Sequence, residues 1–236
     1  MDLHRRHRWD LTPKEAVALQ QELRAEVVTD RPLDLAGVRL VAGVDVSVKE
    51  NVSQAAVVVA TFPGFETIEV ARAVRPTPFP YVPGLLSFRE GPVLEEAFGK
   101  LTVEPDVFVF DGSGYAHPRR IGIACHMGLW LGRPTIGCSK TRLTGRHDEV
   151  PPEKGAWAPL LDKDEVVGAA LRTRASTSPV FVSPGHLIDL ASAIDIVMAC
   201  SPKYRLPQPI RLAHNAAGAF EPGPDLFGRS TDPDRP

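Results

Sequence analysis

Val107, Phe108, Val109 and Phe110 form an unbroken apolar run that stops abruptly at Asp111-Gly112-Ser113-Gly114. β-Branched and aromatic residues without polar alternation describe a strand covered on both faces, which belongs in the middle of a sheet flanked by helices. The surrounding pattern agrees. Upstream, strands are expected at Leu40–Val48, Ala55–Phe62 and Glu66–Ala73, joined by short connections as an antiparallel meander. A helix is expected over Leu86–Leu101 before the run, and another over Ile121–Leu131 after it. Strands at Pro134–Cys138, Glu165–Leu171 and Val180–Val182 follow, then helices at Leu187–Cys200 and Pro209–Ala217. Three strands followed by alternating strands and helices define an α/β fold with a mixed β-sheet flanked by α-helices. An N-terminal helix begins at Thr12-Pro13-Lys14-Glu15, with a Thr cap, Pro at the first position and Glu three residues after the cap. Leu19, Leu23 and Val27 supply its stripe as far as about Val28.

Composition narrows the class less than the pattern does. The 236 residues carry 27 Lys plus Arg against 29 Asp plus Glu, a net charge of -2. Taken alone, that balance favours a small-molecule enzyme over a nucleic-acid binder. No apolar run reaches the roughly 18 residues of a membrane span, and the polar start Met1-Asp2-Leu3-His4-Arg5-Arg6 lacks a secretion signal's apolar core. Cys125, Cys138 and Cys200 are odd in number and lack CxxC spacing, so ordinary core thiols in a reducing cytoplasm are expected. One domain is expected over residues 1–220, with a frayed Pro/Gly-rich tail over 221–236.

Two acids stand where acids are depleted. Asp45 lies inside Val41–Val48, where Gly43, Asp45 and Ser47 share one face and Val44, Val46 and Val48 the other. A carboxylate there must be paired, hydrogen-bonded or metal-bound. Asp111 ends the apolar run at the carboxyl end of a strand, where ligands of α/β sheets gather, and glycines follow it. Two aspartates from adjacent strands are the minimum set for Mg²⁺, while an N-cap role for Asp111 is the plain alternative. The segment from Gly112 to Arg146 holds Arg119, Arg120, Arg133, Lys140, Arg142 and Arg146, with His117 and His126, and no acid. That bias suggests an anionic substrate beside a metal.

Several segments together resemble the endonuclease V family, repair nucleases of RNase H-like fold. They are Val41–Ser47, Pro80-Tyr81-Val82-Pro83-Gly84-Leu85-Leu86-Ser87-Phe88-Arg89-Glu90, Asp111–Arg119, Gly137–Gly145 and Ser183-Pro184-Gly185-His186. The resemblance spans roughly residues 10 to 220 and implies cleavage of DNA containing deoxyinosine. The cut would fall at the second phosphodiester 3′ to the lesion, leaving 3′-hydroxyl and 5′-phosphate ends. Mg²⁺, with Mn²⁺ as substitute, would be held by Asp45 and Asp111, with Glu90 as the catalytic glutamate. Lys140 and His117 would stand near the scissile phosphate. Tyr81 matches a wedge entering the duplex, stiffened by Pro80 and Pro83. Pro83, Gly84, Arg89, Gly112 and Gly114 match the substrate-binding segments. His214 falls where some relatives carry Asp, so it is an active-site candidate with its metal coordination open. His186 would cap the following helix or brace the site. Inosine-containing RNA is the alternative substrate, and a non-catalytic inosine-binding protein the alternative class. No obligatory protein partner is evident, and no membrane is implied.

Overall fold

The computed structural model describes residues 1–218; the tail expected over 221–236 lies outside the described residues. Eight strands form one mixed sheet in the order β3-β2-β1-β4-β5-β8-β7-β6. They are β1 (Leu40–Lys49), β2 (Val52–Thr61), β3 (Thr67–Pro76), β4 (Val107–Phe110), β5 (Thr135–Ser139), β6 (Trp157–Asp162), β7 (Glu165–Leu171) and β8 (Val180–Pro184). The first three strands are the expected antiparallel meander. β1, β4 and β5 run parallel, and β8, β7 and β6 return antiparallel.

The apolar run that defines β4 sits at the centre of this order, and all four of its residues are buried. Phe108 and Phe110 pack with Val44 beneath α2 (Leu86–Gly99) and α3 (Ile123–Leu131). Val107 and Val109 join Val41 and Ile136 beneath α4 (Leu190–Ala199) and the start of α5 (Gln208–Gly218). Alternation within a continuous hydrophobic strand thus feeds two cores at once. Cys125, Cys138 and Cys200 are free and buried, as expected.

Helix α1 (Pro13–Leu23) has the full capping box, with Thr12 Oγ1 accepting from the Glu15 backbone and the Glu15 carboxylate accepting from the Thr12 backbone. It ends five residues before the expected Val28, continuing only as a 3₁₀ turn over Arg24–Glu26. Its buried residues are Ala16, Gln20 and Leu23, so the stripe is rotated from the expected one and includes an amide. Strand β6 was not expected from the sequence, because Pro159 interrupts it. As the edge strand of the sheet it tolerates a residue without an N–H. Among the described residues, no helix is long and apolar enough to cross a membrane.

Candidate active site

Register brings the two aspartates together. Val44 of β1 pairs with Phe110 of β4 in parallel, so the next residues, Asp45 and Asp111, stand side by side at the end of the pair. The Asp111 N–H donates to the Val44 carbonyl at 3.0 Å, extending the ladder by one step. Neighbouring strands lie about 5 Å apart, within reach of a shared ligand for both carboxylates. Lys140 follows β5, the next parallel strand, and its Nζ donates to Asp111 Oδ2 at 2.6 Å.

His214 reaches the cluster because Gly43 is a glycine. A Cβ on Gly43 would sit 1.9 Å from the Pro209 carbonyl oxygen, so only a bare backbone lets the start of α5 lie against β1. Five residues along that helix, His214 Nδ1 lies 2.9 Å from Asp45 Oδ2. The His214 side chain is otherwise exposed, leaving Nε2 directed away from the aspartate it contacts.

Glu90 comes from α2, on the opposite face of the sheet from α5, and joins the aspartates electrostatically. Its removal from water pushes its carboxyl up to about 8, and the charges of Asp45 and Asp111 push the same way against Arg89. Burial also raises the Asp45 carboxyl; the His214 hydrogen bond opposes that shift and Asp111 reinforces it. With Asp111 beside them, Asp45 and Glu90 offer a hard oxygen donor set, the kind that suits a divalent cation. As placed, however, no three His, Cys, Asp or Glu side chains among the described residues converge into a closed ligand cluster.

Beside the carboxylates lies a cleft of about 510 Å³, lined by Tyr81, Pro83, Gly84, Gly112, His117, the start of α3 and the Lys140–Leu143 loop. Asp111 lines this cleft and also belongs to the acid cluster. Tyr81 is 72% exposed at the rim, an unusual position for a large aromatic and the one a probing side chain needs. The loop that carries Tyr81 is fixed at Gly84, whose φ of +80° is left-handed and favours glycine. Three donors converge on the Gly84 carbonyl: His117 Nε2 at 2.9 Å, Arg119 Nη2 at 2.7 Å and Gln20 Nε2 at 3.1 Å.

Several expected contacts are placed differently. Both ring nitrogens of His117 are engaged, Nε2 with Gly84 and Nδ1 by the Arg119 N–H at 3.1 Å, so the ring positions the loop rather than offering a nitrogen to phosphate. Burial pushes its imidazole down to about 4, despite the opposing Gly84 bond, and the ring is neutral near pH 7. Arg89 turns away from the cleft and donates to the Phe79 carbonyl, bracing the loop from behind. Gly114 is buried against β8, where a Cβ would lie 2.1 Å from the Pro184 carbonyl oxygen; the glycine serves packing, not approach to a base. The basic segment is largely consumed by protein contacts. Arg120 pairs with Asp162 and Glu165, Arg133 with Glu104, and Arg119 with Gln20 Oε1 and Gly84. Arg146 lies beside Asp164 on the surface, so of the six cations only Lys140 and Arg142 line the cleft. His126 is fully buried, with Nε2 2.7 Å from His7 Nε2. His186 braces the chain by accepting from the Val28 N–H, while Asp189 caps α4.

No motif marks Gln20; its only signal in the sequence is an amide on the Ala16–Gln20–Leu23 stripe. Fully buried, it bonds the Gly84 and Ile121 carbonyls and Arg119, tying α1 to the two loops that precede α2 and α3 beside the cleft. Arg205 was also missed; it donates to the carbonyls of Ser178, Pro179 and Lys140.

An RNase H-like mixed sheet with carboxylates from neighbouring parallel strands at its centre defines a nuclease-type α/β domain. The chain belongs to the endonuclease V family, whose model matches residues 21–215. It is 48% identical over 219 residues to the endonuclease V of Trichormus variabilis, covering 92% of this chain and 99% of that one. The crystal structure of the Streptomyces avermitilis endonuclease V superposes with a TM-score of 0.85 at 42% identity, covering 89% of this chain and 93% of the other. That of the Ciona intestinalis endonuclease V, in complex with DNA containing an inosine followed by a ribo-adenosine, superposes at 0.73 with 28% identity, covering 87% and 95%. The family assignment makes this chain an enzyme of nucleic acids.

Proposed function

We propose that the chain recognises deaminated bases in DNA, chiefly deoxyinosine, and hydrolyses the second phosphodiester bond on the 3′ side of the lesion. One observation carries the reading: Asp111 belongs at once to the cleft beneath Tyr81 and to the carboxylate cluster. A base held in the cleft therefore fixes where its strand crosses the acids. Tyr81 is free to fill the space left by an extruded base, and the backbone at Gly84 and Gly112 can approach the base edge. The inosine-containing DNA bound by the Ciona protein supports a substrate of this kind.

Asp45 and Asp111 would hold Mg²⁺, or Mn²⁺ in its place, with Glu90 as the third carboxylate. The ion would neutralise charge growing on the phosphate and acidify water. The chain's own residues do the rest. Lys140, at 2.6 Å from Asp111, offers a cation to a phosphate oxygen. Glu90, ionised once a cation stands among the acids, would orient the attacking water. His214, oriented by Asp45, presents its second nitrogen to the departing 3′ oxygen or to solvent. Water oxygen bonds to phosphorus, the P–O3′ bond breaks, and the 3′ oxygen gains a proton.

Inosine-containing RNA is the second reading, favoured by the ribo-adenosine beside the inosine in the Ciona complex. Matched DNA and RNA strands with one inosine, incubated with protein and Mg²⁺, test both. Faster cleavage of the DNA supports the first reading; exclusive RNA cleavage replaces it with the second. Failure to cut either strand above an unmodified control refutes the assignment.

A further inference from the structure

From Cys200 to Gly218 the chain holds Lys203, Arg205 and Arg211 and no acid. Arg211 lies on α5 one turn before His214, and its guanidinium carbon stacks 3.7 Å above the Tyr204 ring. Lys203 Nζ lies 5.5 Å from the centre of the same ring. Arg211 Nε is buried without a hydrogen-bond partner, and among the described residues neither Arg211 nor Lys203 forms an ion pair. Tyr204 and Lys203 are exposed. The cationic ridge is anchored to the reaction centre at two points. Arg205 holds the Lys140 carbonyl at 3.0 Å, and α5 holds Asp45 through His214.

We propose that the Tyr204–Arg211 pair, assisted by Lys203, grips a backbone phosphate of the substrate strand on the 3′ side of the scissile bond. This rests on the reading given under Proposed function. If the lesion base sits in the cleft on the α2–α3 face and the cut bond lies over the carboxylates, the strand leaves toward the α4–α5 face. Its exit is the 3′ direction, because the cut is 3′ to the lesion. A guanidinium held flat by an aromatic ring is already oriented, so little side-chain freedom is lost when its outer N–H groups meet phosphate oxygens. With its aromatic face already covered by Arg211, Tyr204 serves as a platform rather than as a stacking surface for a base.

The test replaces single phosphates by neutral methylphosphonates at successive linkages 3′ of the cut in an inosine-containing strand. Single-turnover cleavage is measured with Mg²⁺ at low salt. In the wild type, one linkage is expected to lose about tenfold in kcat/KM, the size of one charge-assisted hydrogen bond at a half-exposed site. Arg211→Gln is expected to show that loss on the all-phosphate strand and no further loss on the modified one, with Arg211→Lys recovering part of it. Because the methylphosphonate series on wild-type protein needs no variant to fold, a wild type indifferent to every 3′ substitution overturns the inference. So does an Arg211→Gln protein that responds to the substitution as fully as the wild type. A wild type that cuts no inosine strand refutes the function itself, and this inference with it.

Discussion

Gly43→Ala isolates the device that brings α5 to the acids. The new Cβ would lie 1.9 Å from the Pro209 carbonyl oxygen, 2.2 Å from its carbon and 2.9 Å from the Ile210 nitrogen. These are backbone atoms, so no side chain can rotate away. Restoring ordinary contact at 3.4 Å requires α5 to retreat by about 1.5 Å. Ile210, Ala213, Ala216 and Ala217 anchor the helix on the sheet, and each would lose packing. Overpacking of this kind costs about 1–3 kcal/mol, and each kcal/mol lowers Tm by roughly 2–4 °C in a chain of this length. The same retreat separates His214 from Asp45, now 2.9 Å apart, and a displacement near 1 Å at a reaction centre can cost about a hundredfold in rate. Thermal unfolding and single-turnover cleavage of inosine DNA, both measured well below Tm, read the two effects. Gly168→Ala supplies the control, since its Cβ would meet the Val182 carbonyl oxygen at 2.4 Å, on strands that carry none of the acids. It should lower Tm and leave cleavage intact. A Gly43→Ala protein that melts and cleaves like the wild type would refute the argument that this glycine sets the position of α5.

Tyr81→Ala, at a 72% exposed position, should leave Tm within about a degree while weakening inosine-DNA binding by about 1–3 kcal/mol, the loss of one aromatic stacking surface; equal binding by both proteins, measured by titration, would show that the ring does not probe the duplex. Gln20→Leu removes hydrogen bonds to Gly84, Ile121 and Arg119, and should cost about 1–3 kcal/mol by urea unfolding. It should also narrow the ratio of inosine to adenosine cleavage; an unchanged ratio would make Gln20 a purely structural brace. His126 is buried and its imidazole pushed down to about 3 by loss of water first and by His7 and His117 next. Its folded value lies below the ordinary 6.5, so below pH 6.5 the unfolded chain binds a proton that the folded one refuses. Stability should therefore fall by up to ~1.4 kcal/mol per pH unit from this residue as pH drops from 6.5 toward 3, and His126→Phe should flatten the slope by one proton. Urea titrations at several pH values giving parallel slopes for both proteins would contradict this.

Much of the fold was legible because the local signals agreed with the global one. The Val107–Phe110 run gave its strand to the residue, and Asp45 and Asp111 could be singled out because a carboxylate near a sheet centre needs a partner. The motifs also point to Glu90, Lys140 and Tyr81, which the structure places around Asp111. Less legible was how cations are spent. A stretch of six basic residues suggested a phosphate-facing surface, yet Arg120 and Arg133 find acids 42 and 29 residues away in sequence, which no local pattern can foretell. Their motifs point to His117 and Arg89 as substrate contacts, but the structure turns both onto backbone carbonyls of the Tyr81 loop. Gln20 lay hidden for a related reason: an amide within a helical stripe gains meaning only when the two loops it joins are seen together.

Asp111 lines the cleft and belongs to the acid cluster, and under the proposed function this fixes the distance between the lesion and the cut. Moving a single deoxyinosine stepwise along an otherwise constant oligonucleotide, and mapping the 5′ end released with Mg²⁺ at nucleotide resolution, tests this most directly. The cut is expected to move in step with the inosine, always at the second phosphodiester on its 3′ side, and Asp111→Asn is expected to abolish it. A cut that stays in place as the inosine moves, or that persists in Asp111→Asn, would contradict it.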